Sequence, residues 1–147
     1  MPKYPRLTVD IIIKCCSETE IPLVPFRRWL RRDSGIILIE RKNPPFGWAI
    51  PGGFVEYGEQ VEETAFREAK EETSLEVKNL KQFYVYSKPS RDPRGHTISV
   101  VFTAEAEGTP KADSDAKNIG IFTKDNLPHN IAFDHREILD NYFSSKE

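Results

Sequence analysis

The sequence predicts an α/β fold in which a mixed β-sheet lies between helices. Strand-like runs rich in β-branched residues occur both before and after a helical segment at residues 60–73, and a second helical segment closes the chain. Helices and strands combined in this way bury their apolar faces against a shared sheet. At 147 residues the chain is expected to form a single domain over residues 1–147, with the Pro- and Lys/Arg-rich residues 1–7 only partly ordered.

The strands are predicted from short apolar runs that end at turn residues. Residues 8–15 are apolar at successive positions near the centre, so this strand is expected to be buried on both faces. Residues 36–41 form a second buried strand. Residues 43–48 form a loop, because two prolines and a glycine disfavour pairing within a sheet. Further strands are predicted at residues 76–86, 97–105 and 119–122.

The last helix is predicted to begin near Asp134, a residue type that favours the N-cap position. Glu137 lies three residues later and completes an approximate capping box. The apolar positions that follow have helical spacing, which indicates a helix packed on the sheet by one face. They are Ile138, Leu139, Tyr142 and Phe143.

Composition and charge narrow the class of protein. A net charge of −2 gives no general attraction to nucleic acid or to anionic membranes, and a small-molecule partner is expected instead. The sequence has no signal peptide and no apolar run near the roughly 18 residues that span a bilayer, which indicates a cytoplasmic protein. Cys15 and Cys16 are adjacent and poorly placed for a mutual disulfide, and no Cys/His spacing indicates zinc.

The most informative stretch is residues 52–75, where a Pro-Gly-Gly turn leads into an acidic helix. At about 100° per residue, Glu68, Glu71 and Glu72 fall within one arc of the helix surface. Like charges one turn apart destabilise a bare helix, and a divalent cation would reverse that effect. Three carboxylates on one rigid face are suited to Mg²⁺, and a backbone carbonyl at the flexible Gly53 can supply a further ligand.

A second interpretation of this helix is a solvated surface helix. Glu63, Arg67 and Glu71 are spaced for i,i+4 ion pairs, as such a helix would require. This interpretation does not explain why Glu68 and Glu72 lie on the same face of the helix as the apolar residues Val61 and Ala65.

Residues 53–75 resemble the signature of the Nudix hydrolases, Gly-x5-Glu-x7-Arg-Glu-U-x-Glu-Glu-x-Gly-U, where U is aliphatic. The matching residues are Gly53, Glu59, Arg67, Glu68, Ala69, Glu71, Glu72 and Leu75. The one departure is Ser74, which stands where the family has glycine. That glycine ends the helix in a left-handed conformation, so serine is expected to cost about 1 kcal/mol in stability there.

The resemblance implies an α/β/α sandwich and the hydrolysis of a nucleoside diphosphate derivative with Mg²⁺, for which Mn²⁺ can substitute. It implies that Glu68 and Glu72 bind the metal, with Glu71 as a third ligand or a holder of metal-bound water. Arg67 is expected to clamp Glu59 and Glu71 through its planar fork of donors; direct contact with phosphate is the alternative.

The resemblance places the general base on a carboxylate outside the signature. Glu56, Asp113 and Asp115 are the candidates, and Asp115 is preferred. An ionised carboxylate can serve without a pKa shift by orienting water. The alternative for residues 112–116 is an ordinary turn with Asx-type hydrogen bonds.

Several segments resemble the ADP-ribose pyrophosphatase branch of the family: residues 43–48, 53–56, 86–96, 98–102 and 132–135. They imply cleavage of ADP-ribose to AMP and ribose 5-phosphate. Arg91 and Arg94 are candidate phosphate ligands with forked donors, with a rigid local turn as the alternative. His96 is a candidate phosphate donor or a turn residue. Phe46 and Trp48 are candidates for an aromatic wall beside adenine, or for closing the core.

Two other functions stay open at this point. One is the pyrophosphohydrolysis of modified nucleoside triphosphates or dinucleoside polyphosphates. The other is a sensor that binds ADP-ribose without cleaving it, although the intact set of three glutamates argues against a pure sensor. The resemblance also implies a homodimer, as is common in this branch, but residues 16–35 have no counterpart in it.

Overall fold

The computed structural model describes residues 3–16, 18–19, 30–31, 35–113 and 116–145. Their elements include nine strands and two α-helices. The strands are β1 (Arg6–Cys16), β2 (Glu18–Thr19), β3 (Leu30–Arg31), β4 (Ile36–Arg41), β5 (Trp48–Ala49), β6 (Gly52–Phe54), β7 (Lys78–Tyr86), β8 (Thr97–Glu107) and β9 (Ala116–Phe122). The helices are α1 (Val61–Thr73) and α2 (His135–Ser144), and a 3₁₀ turn covers Lys124–Asn126.

Seven of these strands form one mixed sheet with β1 at its centre. The order is β5-β4-β1-β8-β7, with β9 paired to β4 and β6 paired to β1. The β1–β8 pair is parallel and continuous, whereas β1 pairs antiparallel with β4 near its end and with β6 near its start. On that side of β1, β4 and β6 thus pair with different ends of the strand.

The centre of β1 is buried on both faces, as predicted. Ile11 and Ile13 face the core that contains Ala65 and Ala69 of α1, whereas Ile12 faces the core that contains Ile138 and Leu139 of α2. All three isoleucines are almost fully inaccessible to solvent. Alternate residues of one strand thus join the sheet to a helix on each side, and the predicted sheet between helices is confirmed.

The largest difference from the prediction is β6, where the sequence predicts a turn. Gly52 and Gly53 pair with Asp10 and Val9, so the start of the glutamate-rich segment is fixed against the central strand. Trp48–Ala49 also pairs with β4 directly after the proline-rich loop. Neither pairing was predicted, because both strands are too short to show a period of two.

The helix ends are partly as predicted. Ser74 adopts the expected left-handed conformation, with φ of 65° and ψ of 11°. The predicted capping box at α2 is wrong: Asp134 is the N-cap residue, but its side chain makes no capping hydrogen bond. Its carboxylate accepts two hydrogen bonds from Arg91 instead. Among the described residues, no helix is long and apolar enough to cross a membrane.

Candidate active site

A cavity of about 380 Å³ opens beside β6 and the start of β1. Its walls include the carboxylates of Asp10, Glu56, Glu68, Glu72 and Asp92. They also include the cations of Arg41, Lys42, Arg67, Arg91 and Arg94, together with the rings of Phe54, Phe133 and His135. A cavity with both charges suits a ligand that carries anionic groups and binds together with a cation.

Arg67 organises the acidic end of this cavity. Its Nε and one Nη2 hydrogen donate to the two carboxylate oxygens of Glu59, at 2.7 and 2.9 Å. Nη1 donates to Glu68 at 2.7 Å and to Glu71 at 3.4 Å, and Nη2 also donates to the Phe54 carbonyl at 3.1 Å. These five bonds engage all five N–H donors of the guanidinium. Arg67 therefore joins α1 to the loop before it and holds the Glu68 carboxylate in place.

Glu59 is the fixed anchor of this clamp. Besides Arg67, its Oε1 accepts hydrogen bonds from the Thr64 hydroxyl at 2.6 Å and from the Glu56 backbone N–H at 3.2 Å. The hydrogen bonds from Arg67, followed by that from Thr64, lower the pKa of Glu59 to about 2. The residue is thus an anion throughout the neutral range and serves to orient the arginine.

Two glycines leave room for a helix carboxylate and a strand carboxylate beside them. A Cβ built on Gly53 would overlap the carboxylate of Glu68, and one built on Gly52 would overlap the backbone of β1 and the Asp10 carboxylate. No other residue fits at either position without displacing these groups. The Pro-Gly-Gly turn is therefore needed for space beside the carboxylates, in addition to backbone freedom.

Glu68 and Glu72 form a close, buried pair at the base of the cavity. Glu72 is 7% exposed, and its Oε2 has no hydrogen-bond partner among the described residues. Burial raises the pKa of Glu72 well above its usual value, and the charge and hydrogen bond of Glu68 and the charge of Asp10 raise it further. Burial likewise raises the pKa of Glu68, although Arg67 partly offsets this.

This pair fits a divalent cation. A buried carboxylate oxygen without a partner, beside a second carboxylate, is costly alone, and a cation would supply the positive charge that both carboxylates lack. Within the described part of the chain, no group of three Asp, Glu, His or Cys side chains is arranged to hold a metal. Two carboxylates suffice for Mg²⁺, which keeps several waters and completes its shell with substrate phosphates.

The resemblance seen in the sequence is matched by comparison with known proteins. A family model described as NUDIX domain matches residues 26–142, more than half of the chain. The chain belongs to the Nudix family. It is a Nudix hydrolase by this match and by its likeness to an enzyme of that kind.

Three similar proteins illustrate the range of the family. The ADP-ribose pyrophosphatase of Methanocaldococcus jannaschii is 48% identical over 128 residues, which cover 85% of this chain and 75% of that protein. The NAD-capped RNA hydrolase NudC of Pectobacterium carotovorum is 36% identical over 127 residues, 85% of this chain but only 42% of that protein. The crystal structure of a MutT/nudix family protein from Enterococcus faecalis aligns with a TM-score of 0.79 at 31% identity, over 99% of this chain and 64% of that one. Nudix pyrophosphatases depend in general on a divalent cation.

The other acidic residues named from the sequence lie in different places. Glu71 of this Nudix chain does not line the cavity; its side chain is 48% exposed. Glu56 lines the cavity with a side chain that is 71% exposed, 4.0 Å from Arg67. Asp113 is exposed and does not line the cavity, and Asp115 lies outside the described residues. The roles of these four carboxylates stay predictions.

Arg91 and Arg94 differ in burial and in hydrogen-bond partners, although both are candidate phosphate ligands on sequence grounds. Arg91 is buried, with Nε and Nη2 bonded to Asp134 at 3.0 and 2.8 Å and Nη1 bonded to Thr97 at 2.6 Å. Arg94 is 41% exposed on its side chain and uses Nε and one Nη2 hydrogen on Asp92, at 3.1 and 2.9 Å. Arg91 thus ties β8 to the start of α2, whereas Arg94 has donors that face the cavity.

The predicted aromatic wall is not brought to the cavity. Phe46 is 68% exposed, and Trp48 packs edge-on against Phe122 with ring centroids 5.0 Å apart. Neither ring lines the cavity; Phe54 and Phe133 do. The His96 ring bonds to the Ser87 carbonyl at 3.0 Å and faces a neighbouring cavity. The substrate contacts of these residues stay predictions.

Sequence reasoning missed a buried polar group under the cavity. Asp10 accepts a hydrogen bond from the Ser99 hydroxyl and lies 3.7 Å from Nε2 of His135. Nδ1 of His135 accepts the Ile50 backbone N–H at 2.9 Å, so the ring is a buried part of the cavity wall and not a surface residue. Burial raises the pKa of Asp10, but His135, Ser99 and Arg91 outweigh this and lower it below its usual value. The available signal was a single carboxylate directly before the apolar centre of the strand.

Proposed function

We propose that this Nudix hydrolase cleaves ADP-ribose to AMP and ribose 5-phosphate with Mg²⁺. The observation that carries the proposal is the Glu68–Glu72 pair, which lies beside Gly53 in a cavity that is also lined by arginines. The 48% identity to an ADP-ribose pyrophosphatase supports the choice of substrate.

Glu68 and Glu72 would hold the cation, with the Gly53 carbonyl as a further oxygen donor and Glu71 as an outer ligand. When bound, Mg²⁺ would neutralise charge on the phosphoryl oxygens and make the attacking water more acidic. Arg67 keeps Glu68 in position through its bond of 2.7 Å, and Glu59 keeps Arg67 in position through two more. The chain thereby presents its carboxylates in a fixed arrangement before the substrate arrives.

The cationic end of the cavity would bind the diphosphate. The free N–H donors of Arg94 are suited to phosphate oxygens, because a guanidinium presents parallel donors in one plane. Arg91 lies behind it, where its ion pair with Asp134 holds the wall together. The phosphate groups would thus lie between the arginine donors and the carboxylate pair.

Hydrolysis also requires a group that accepts the proton of the attacking water. Among the candidate bases in the described part of the chain, Glu56 is the one that lines the cavity. Its exposed carboxylate is available to water and can accept a proton from it. Asp115, preferred on sequence grounds, is the alternative.

A product assay against a panel of nucleotides with Mg²⁺ tests the proposal. We expect AMP to appear from ADP-ribose, with a kcat/KM well above that for any nucleoside triphosphate or dinucleoside polyphosphate. A strong preference for a triphosphate would overturn the choice of substrate. Binding of ADP-ribose without any product would overturn the enzymatic assignment in favour of a sensor.

A further inference from the structure

A second cavity of about 430 Å³ lies against the first and is not explained by the proposed reaction. The two cavities share Phe54, Asp92 and Arg94 in their walls. The second is also lined by Lys3, Arg6 and His96, at the start of β1 and at the turn before β8. Because the two cavities share these wall residues, a substrate bound at Glu68 and Glu72 can extend into the second cavity.

The charged groups in this second cavity are unbalanced. Lys3, Arg6 and Arg94 supply three cations against the one carboxylate of Asp92, before His96 is considered. Both Asp92 oxygens are already bonded to Arg94, and the Asp92 side chain is only 2% exposed. The cavity thus has an excess of positive charge and no carboxylate that could accept a cationic ligand.

Arg6 is held in place without being neutralised. Its guanidinium carbon lies 3.6 Å from the centroid of the Phe54 ring, and that of Arg94 lies 5.3 Å from the same centroid. In the described part of the chain, no carboxylate or carbonyl is recorded as an acceptor for the Arg6 side chain, in contrast to the five bonds of Arg67. A stacked guanidinium with free donors is pre-oriented for an oxyanion.

The same stacking argues against a nucleobase in this position. Arg6 and Arg94 both lie over the Phe54 ring, so a base would have to displace a guanidinium to stack there. Of the other two aromatic rings in the cavity wall, Tyr4 is 78% exposed and His96 bonds to the Ser87 carbonyl. The chemistry of the cavity is therefore that of a phosphate site.

We propose that this second cavity binds a phosphate monoester on the substrate, beyond the diphosphate that is cleaved. The protein then prefers a phosphorylated ADP-ribose, such as 2′-phospho-ADP-ribose, over ADP-ribose itself. This inference rests on the proposed function, because the first cavity must hold the diphosphate for the second to hold an additional phosphate.

The test compares kcat/KM for 2′-phospho-ADP-ribose and ADP-ribose, with Mg²⁺, in the full-length protein. We expect a ratio of about ten or more for the unaltered protein, a ratio near one for Arg6→Ala, and an unchanged ratio for Lys117→Ala. Lys117 is a matched control, since it is an exposed cation on β9 outside both cavities. Increasing salt is also expected to lower the ratio, because exposed charges are screened.

Several outcomes would overturn the inference. They are a ratio at or below one in the unaltered protein, a preference that Arg6→Ala leaves intact, and an equal loss in Lys117→Ala.

Inorganic phosphate distinguishes a phosphate group on the substrate from a free phosphate ion. It should inhibit turnover of 2′-phospho-ADP-ribose more than that of ADP-ribose. If it instead accelerates ADP-ribose turnover, the cavity serves a free ion. Loss of the preference with ADP-ribose still cleaved would leave the proposed function standing, whereas no cleavage of either compound would refute that function itself.

Discussion

Two arginines in the cavity wall, Arg67 and Arg94, are both paired with a carboxylate but are available to a ligand to very different degrees. Arg67 donates to four partners and has no N–H left, so its position is fixed by the protein. Arg94 donates to Asp92 with two of its five N–H groups and stacks near two phenylalanine rings. The number of donors that a guanidinium has left thus separates a positioning residue from a binding one.

The largest expected effect comes from removing one carboxylate of the Glu68–Glu72 pair. Glu72→Gln should lower kcat/KM about a thousandfold or more, because a cation site loses one of its two buried carboxylates. The free energy of unfolding without metal should not fall, since burial already penalises the charged form. Steady-state assays measure kcat/KM, urea unfolding measures the free energy of unfolding, and Mg²⁺ titration calorimetry measures the affinity for the cation. Glu63→Gln, at an exposed position on the same helix, is the control; near-normal activity of Glu72→Gln would mean that the metal site lies elsewhere.

At Arg67, the comparison predicts a loss even when the charge is kept. Arg67→Lys has three donors and no planar fork, so Glu59 and Glu68 cannot both be satisfied. We expect the free energy of unfolding to fall by about 2 kcal/mol and kcat to fall more than tenfold as Glu68 loses its orientation. Chemical denaturation and steady-state kinetics are the measurements. A variant as stable as the original protein would show that the five bonds are not needed.

At Arg94, the effect should appear in substrate binding. Arg94→Ala is expected to raise KM for ADP-ribose about tenfold while kcat changes less, because the side chain binds substrate and transition state alike. Asp92 keeps its bonds to the Arg94 backbone N–H and the Thr97 hydroxyl, so unfolding should be easier by only about 1 kcal/mol. An unchanged KM would assign Arg94 to the local turn alone.

The smallest expected effect is on the free energy of unfolding at acidic pH. The pKa of Glu59 is lowered to about 2 from an ordinary value of 4.5, so its contribution is present above pH 4.5 and is lost as pH falls from 4.5 towards 2. Glu59→Gln should therefore be less stable at neutral pH and should lose less stability across that window. Urea unfolding between pH 5 and about 2.5 measures the difference. Parallel curves for the two proteins would contradict the assignment of this carboxylate to the clamp.

The residues that could be predicted are those whose role depends on local spacing. The 100° periodicity of one helix was enough to place Glu68 and Glu72 beside the sheet, and successive apolar residues were enough to bury Ile11, Ile12 and Ile13. The same periodicity put Glu71 within the arc, but it lies at the edge and is half exposed. Local patterns therefore identify a helix face more reliably than its boundary.

Residues whose role depends on distant partners could not be predicted. The capping box at Asp134 failed because Arg91, 43 positions earlier in the chain, takes that carboxylate. Asp10 becomes part of the site only through Ser99 and His135, which belong to β8 and α2. Nothing local distinguishes the buried Arg91 from the exposed Arg94, three residues away, since only the packing of β8 against α2 makes them different.

The left-handed end of α1 at Ser74 has a consequence for motion. The Lys111 backbone N–H donates to the Thr73 carbonyl at 2.9 Å, and the Ser74 hydroxyl donates to the Lys111 carbonyl at 3.3 Å. Two hydrogen bonds thus join Lys111, in the loop that precedes β9, to Thr73 and Ser74, the two residues after Glu72. Movement of Lys111 away from the helix would break its hydrogen bond to the last turn. The rate of hydrogen exchange at the Lys111 amide therefore measures how often that bond opens in solution.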